Sequence, residues 1–268
     1  MTHQELDDAY ANGKYIDGAG EYPPKWAAAA AAFRDRSANR GKIEPDIAYG
    51  EHGRERLDLF LPDAAPRGLV VFVHGGYWRA FDKSSWSHLA AGALARGYAV
   101  AMPSYVLCPE VRISDITRQI AAAIDLAARR IDGPIRLTGH SAGGHLVTRM
   151  LCRDLKQQRF FAERIVNVVS ISGLHDLRPL MKTAMNADFG LGAGEANAES
   201  PALQRDALPV PVTAWVGSDE RPAFIEQARF LAANWPNADV VIEPGRHHFD
   251  VIDALADPES ALVDRLLA

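Results

Sequence analysis

The segment from Ile135 to Leu155 constrains the fold of this chain more than any other. Ile135-Arg136-Leu137-Thr138 reads as a short apolar strand and Gly139-His140-Ser141-Ala142-Gly143 as a tight turn. Leu146, Val147, Met150 and Leu151 then fall at helical spacing over His145–Leu155. A serine framed by glycines at a strand-to-helix junction sits on a sharp, strained bend with its hydroxyl clear of the main chain. Gly139 and Gly143 occupy positions where side chains would collide across the bend, and Ala142 is also small. The helix that follows aims unpaired N–H groups and a partial positive charge at the same point.

The pattern around this segment is alternating strand and helix. Leu57, Leu59 and Leu61 alternate as in a half-buried strand, and Gly68–His74 is a continuous apolar run suited to a central strand covered on both faces. Tyr98–Met102, Ile165–Ile171, Val212–Gly217 and Asp239–Glu243 read as further strands. Helices are expected from Ser84 or Ser85 to Leu94, from a Ser114 cap through Ile116, Ile120, Ile124 and Ile131, and over Pro222–Trp235. Such alternation implies an α/β fold with a mostly parallel central sheet and helices on both faces. Residues 186–200, rich in Gly and Ala, read as an irregular loop.

Residues 1–42 differ from the rest. Pro23-Pro24 can open a helix that continues through the Ala-rich run Trp26–Phe33 and fades by Gly41. This N-terminal helical segment is expected to pack through Trp26 and Phe33, the other reading being a lid over an active site. Residues 43–268 form the main domain, and one domain overall is the simplest account of 268 residues.

Composition narrows the function classes. A formal net charge of −5 gives no electrostatic footprint for nucleic acid or an anionic membrane, so neither is expected as a partner. The N-terminus lacks a signal-peptide pattern and no apolar run is long enough to span a bilayer, which makes a cytoplasmic location the default expectation. Cys108 and Cys152 sit among apolar residues and are expected to be buried thiols. Neither H-E-x-x-H nor C-x-x-C occurs, so no metal and no other cofactor is expected.

A serine hydroxyl needs a base and a charge-orienting partner to act as a nucleophile. Downstream of Ser141, Val212–Gly217 ends in Ser218-Asp219-Glu220, where two carboxylates compete, and the last strand is followed by the pair His247-His248. Upstream, His74-Gly75-Gly76-Tyr77-Trp78 follows an apolar strand, and its glycines leave main-chain N–H groups open to a substrate oxygen. His74 itself is expected to organise this loop. The remaining histidines, His3, His52, His88, His140, His145 and His175, read as surface or satisfied core residues.

With these residues placed, the chain from about Tyr49 onward resembles the kynurenine formamidase (arylformamidase) family of α/β-hydrolases, itself close to hormone-sensitive-lipase-type esterases. The resemblance rests on His74–Trp78, on Gly139–Leu146, on Ile171-Ser172-Gly173-Leu174-His175-Asp176-Leu177-Arg178-Pro179-Leu180, on Ser200-Pro201 and on His248-Phe249-Asp250. It implies the α/β-hydrolase fold and a serine hydrolase acting on a small-molecule ester or formamide substrate. It further implies catalytic Ser141, with His248 before Phe249 as the base. Its Gly-x-x-acid spacing from Gly217 selects Glu220 as the triad acid, with Asp219 the alternative. Eukaryotic members usually carry aspartate there. The implied oxyanion hole comprises the N–H groups of Gly76, Tyr77 and Ala142, and Gly75, Trp78 and His140 are expected on the substrate side. A homo-oligomer is compatible with this reading, a general carboxylesterase on short acyl chains is its main rival, and a non-catalytic ligand-binding relative is a more distant one.

Overall fold

The computed structural model describes residues 1–155 and 161–268. Its described residues hold an eight-stranded sheet in the order β1-β2-β4-β3-β5-β6-β7-β8. The strands are β1 (Ile43–Ala48), β2 (Arg56–Phe60), β3 (Leu69–Val73), β4 (Ala99–Pro103), β5 (Ile135–His140), β6 (Ile165–Ile171), β7 (Val212–Gly217) and β8 (Ala238–Glu243). β1 and β2 pair antiparallel, as do β2 and β4, and every pairing from β4 through β3 to β8 is parallel.

The helices are α1 (His3–Ala9), α2 (Tyr22–Asn39), α3 (Ala91–Ala95), α4 (Ile113–Arg130), α5 (Ala142–Arg149), α6 (Asn186–Phe189), α7 (Ala193–Ala198), α8 (Pro222–Asn234) and α9 (Ala261–Leu267). Two apolar cores flank the sheet, and the pleat of β3 separates them. Leu69, Val71 and Val73 join the core containing Ile116 and Ile120 of α4, Leu146 of α5 and Phe224 of α8. Val70 and Phe72 join the one containing Trp26 of α2, Ala93 of α3 and Leu262 of α9. All five residues of β3 are buried, which is why its sequence runs apolar without alternation.

Local signals set most boundaries. Prolines occupy the first turn of α2, where missing N–H groups cost nothing. The expected cap of α4 shifts from Ser114 to Arg112, whose N–H donates to the Asp115 carboxylate at 2.9 Å. The expected helix from Ser84 or Ser85 to Leu94 is broken into 3-10 turns at Lys83–Ser85 and Ser87–Ala90 before α3. α5 begins at Ala142, three residues before the expected start, and ends at Arg149 rather than Leu155. β1 was not expected. It is an edge strand carrying Pro45 and a register shift between Glu44 and Ile47, so it lacks the apolar alternation of a covered strand.

The 186–200 segment is corrected from irregular loop to two short helices, α6 and α7. Gly190 stops α6 in a left-handed conformation (φ 58°), and the Asn186 side chain accepts from the Leu191 N–H at 2.8 Å. Phe189 and Ala196 are buried, so tertiary packing supplies the order that a Gly- and Ala-rich sequence does not advertise.

The N-terminal segment is docked on the sheet domain. Trp26 is buried and its ring packs 4.7 Å from that of Trp86 and 5.4 Å from that of Phe249. Farther upstream, the Tyr10 carbonyl accepts from the Tyr77 hydroxyl at 2.7 Å, and the Tyr10 ring meets Phe224 edge-on. Cys108 and Cys152 are both buried. No helix among the described residues is long and apolar enough to cross a membrane.

Candidate active site

In open parallel sheets, ligands bind beyond the carboxyl ends of the strands where the strand order reverses. Here the chain leaves β3 toward β4 on one side and returns to β5 on the other. The residues after β3 and β5 are the glycine loop starting at His74 and the turn carrying Ser141. A cavity of about 720 Å³ opens at this point, lined among others by Gly76, Tyr77, His140, Ser141 and His248. A larger open groove of about 1300 Å³ runs between α1 and the start of α8, and none of the predicted catalytic residues lines it.

The bend at Ser141 is strained as anticipated, with φ 55° and ψ −116°. Its N–H donates to the Ile171 carbonyl at 2.8 Å, and its carbonyl accepts from His145 at 3.1 Å. A Cβ at Gly143 would overlap the Val73 carbonyl, and one at Gly139 would overlap the Gly143 carbonyl, so the turn closes only with glycine at both places. Tyr77, Trp78 and Ser172 are also non-glycine residues at positive φ (49°, 55° and 51°). The strain is concentrated where β3, β5 and β6 deliver their carboxyl ends.

The structure brings Glu220, and not Asp219, to His248. His248 Nδ1 lies 2.6 Å from Glu220 Oε2, and both side chains are buried. Glu220 Oε1 accepts from the Gly217 N–H at 2.9 Å and from the Ser172 hydroxyl at 2.5 Å. Asp219 is exposed and its carboxylate takes the Ser218 hydroxyl at 2.8 Å. With Nδ1–H given to the carboxylate, Nε2 of His248 is left as the lone-pair nitrogen.

His140 donates Nε2–H to the His248 carbonyl at 2.8 Å, and the two rings lie 4.6 Å apart. It therefore holds the main chain of His248 as well as lining the cavity. Gly75 acts through close approach: a Cβ there would meet the His140 carbonyl at 2.8 Å. Gly76 and Tyr77 line the cavity, and Ala142 is the first residue of α5, where an N–H has no partner within the helix.

Trp78 requires a correction. It is completely buried, edge-on to His145 and Phe189, and it does not line the cavity. Its positive φ turns the side chain into the core, and the aromatic wall is built by Trp26, Phe81, Trp86 and Phe249 instead. Sequence reasoning missed these four as cavity residues, along with Tyr10 and Asn12 from the N-terminal segment. His247 stands beside the cavity, with Nε2 3.0 Å from the Tyr22 hydroxyl.

His74 stacks on Tyr105, with ring centroids 4.3 Å apart, and gives Nδ1–H to the Gly75 carbonyl at 2.7 Å. His145 and His175 donate similarly to the carbonyls of Glu199 (2.7 Å) and Gln227 (3.1 Å). Burial lowers His74 and His175 to pKa values of about 4 and His145 to about 3, and it holds His140 well below the usual range. In the unfolded chain each would bind a proton near pH ~6.5, so the unfolded state holds more protons as pH falls from there toward 4. Stability is therefore complete above that window and is lost through it. By pH 5, His74, His145 and His175 should each withdraw about 2 kcal/mol. The urea midpoint is expected to drop steeply between pH 6.5 and 5, and a midpoint unchanged over that range would contradict the account.

The sheet order, the strained serine bend and the glycine loop together define an α/β-hydrolase. The BD-FAE family profile matches residues 57–229, and the chain belongs to that family of α/β-hydrolases. Kynurenine formamidase of Drosophila melanogaster is 30% identical over 85% of this chain and 81% of its own length. That of Danio rerio is 29% identical over 83% and 80%. A solved structure from a Silicibacter species, provisionally designated a thioesterase, is 57% identical, covers 98% of this chain and 99% of its own, and superposes with a TM-score of 0.95.

Proposed function

We propose that the chain is a serine hydrolase that cleaves a small ester or aryl-formamide bond through an acyl-enzyme, with kynurenine-formamidase-like specificity. Ser141 Oγ attacks the carbonyl carbon while Nε2 of His248 takes its proton, and Glu220 stabilises the imidazolium that forms. The N–H groups of Gly76, Tyr77 and Ala142 receive the negative charge on the substrate oxygen. His248 then passes its proton to the leaving amine or alcohol. Water, activated by the same imidazole, breaks the acyl–serine bond and restores the hydroxyl.

The observation that carries this reading is the buried Glu220–His248 pair at 2.6 Å, facing the cavity that Ser141 also lines. A volume of about 720 Å³ lies within the ordinary range for small-molecule sites, and its aromatic wall suits a flat aryl group. Similarity to kynurenine formamidases over about four-fifths of both chains favours the formamide. The designation of the 57%-identical protein favours a thioester instead.

Hydrolysis of N-formylkynurenine and of a short-chain aryl ester, measured side by side, separates the readings. We expect kcat/KM for the formamide to equal or exceed that for the ester, and a negligible formamide rate beside ready ester turnover would leave the carboxylesterase. A fluorophosphonate should label the folded protein stoichiometrically, and no labelling would point to a binding protein.

A further inference from the structure

The end of β6 ties the two halves of the site together through consecutive residues. The Ile171 carbonyl accepts from the Ser141 N–H at 2.8 Å, and the Ser172 hydroxyl donates to Glu220 Oε1 at 2.5 Å. Ser172 is buried, and its own N–H donates to the Trp215 carbonyl at 2.7 Å. Its main chain sits at φ 51°, a region that glycine adopts freely and L-residues occupy at a cost. A non-glycine residue held in that conformation, with its only polar side-chain atom on a buried carboxylate, points to a task for the hydroxyl.

We infer that Ser172 is a positioning residue for the acid–base pair. This rests on the catalytic assignment proposed above for Ser141, His248 and Glu220. A glutamate has one more rotatable bond than an aspartate, and it needs an extra restraint to hold its carboxylate plane. The Ser172 hydroxyl and the Gly217 N–H converge on Oε1, which leaves Oε2 alone to meet His248 Nδ1. The hydroxyl also draws negative charge toward Oε1. Without it, more charge resides on Oε2, and the carboxylate holds a protonated imidazole more strongly while orienting it less well.

The test compares Ser172→Gly with Ser172→Ala, using a short-chain aryl ester as substrate. Both variants lose the hydroxyl, but only glycine relieves the main-chain strain. Ser172→Gly is expected to melt no lower than wild type, yet to lose about tenfold in kcat with KM within about twofold. The acid limb of its kcat–pH profile should move to higher pH, and Ser172→Ala should show the same kinetic changes whatever its melting temperature. A folded Ser172→Gly with wild-type kcat and pH profile would overturn the inference. Failure of the underlying assignment looks different: Ser141→Ala would then turn over like wild type, whereas an inactive Ser141→Ala beside an unaltered Ser172→Gly removes the role of Ser172 alone.

Discussion

Replacing Ser141 by alanine is expected to lower kcat for a short-chain aryl ester by about a million-fold and to abolish fluorophosphonate labelling. The folded state should hardly notice. What the fold asks of position 141 comes from its main chain, namely the N–H given to Ile171 and the carbonyl given to His145, and alanine supplies both. Its φ of 55° is equally unfavourable for the two residues, so the strain energy cancels in the comparison. The change thus removes one oxygen from the cavity and little else. Matched thermal melts with steady-state rates make the check, and a folded variant retaining wild-type turnover would reject Ser141 as nucleophile.

Glu220→Gln should cost about ten-thousand-fold in kcat, by imposing the wrong tautomer on His248. Two donors, the Ser172 hydroxyl and the Gly217 N–H, converge on Oε1, so the carboxamide oxygen must stay there. The amide NH2 then faces His248 Nδ1, which has to become an acceptor, and the ring proton moves to Nε2, where the base is needed. Asp219→Asn should change kcat less than about twofold, because that exposed side chain meets Ser218 rather than the imidazole. Rates for both variants at fixed pH decide the matter, and the opposite ranking would transfer the role to Asp219.

Much of the framework was legible in local patterns. The serine bend could be read from glycines flanking a small residue between a strand and a helix, because steric exclusion acts over a few residues. The apolar run of β3 could be read because a strand covered on both faces leaves little room for polar side chains. Edge strand β1 was not legible, since the consecutive exposed residues Glu44, Pro45 and Asp46 break the apolar alternation that marks a strand. Helices α6 and α7 were not legible either, because their order comes from burial of Phe189 and Ala196 against distant elements.

By itself, the sequence determined the alternating sheet, the strained serine and a short roster of bases and acids. It did so because periodicity and steric exclusion operate between near neighbours. The family resemblance favoured Glu220 over Asp219, but only the tertiary structure turns Glu220 inward to His248 and leaves Asp219 facing out, since the two differ in direction rather than in chemistry. It also sent Trp78 into the core and brought Trp26, more than a hundred residues before Ser141, to the cavity wall. Those outcomes depend on packing between elements far apart in the chain, and no local rule carries that information.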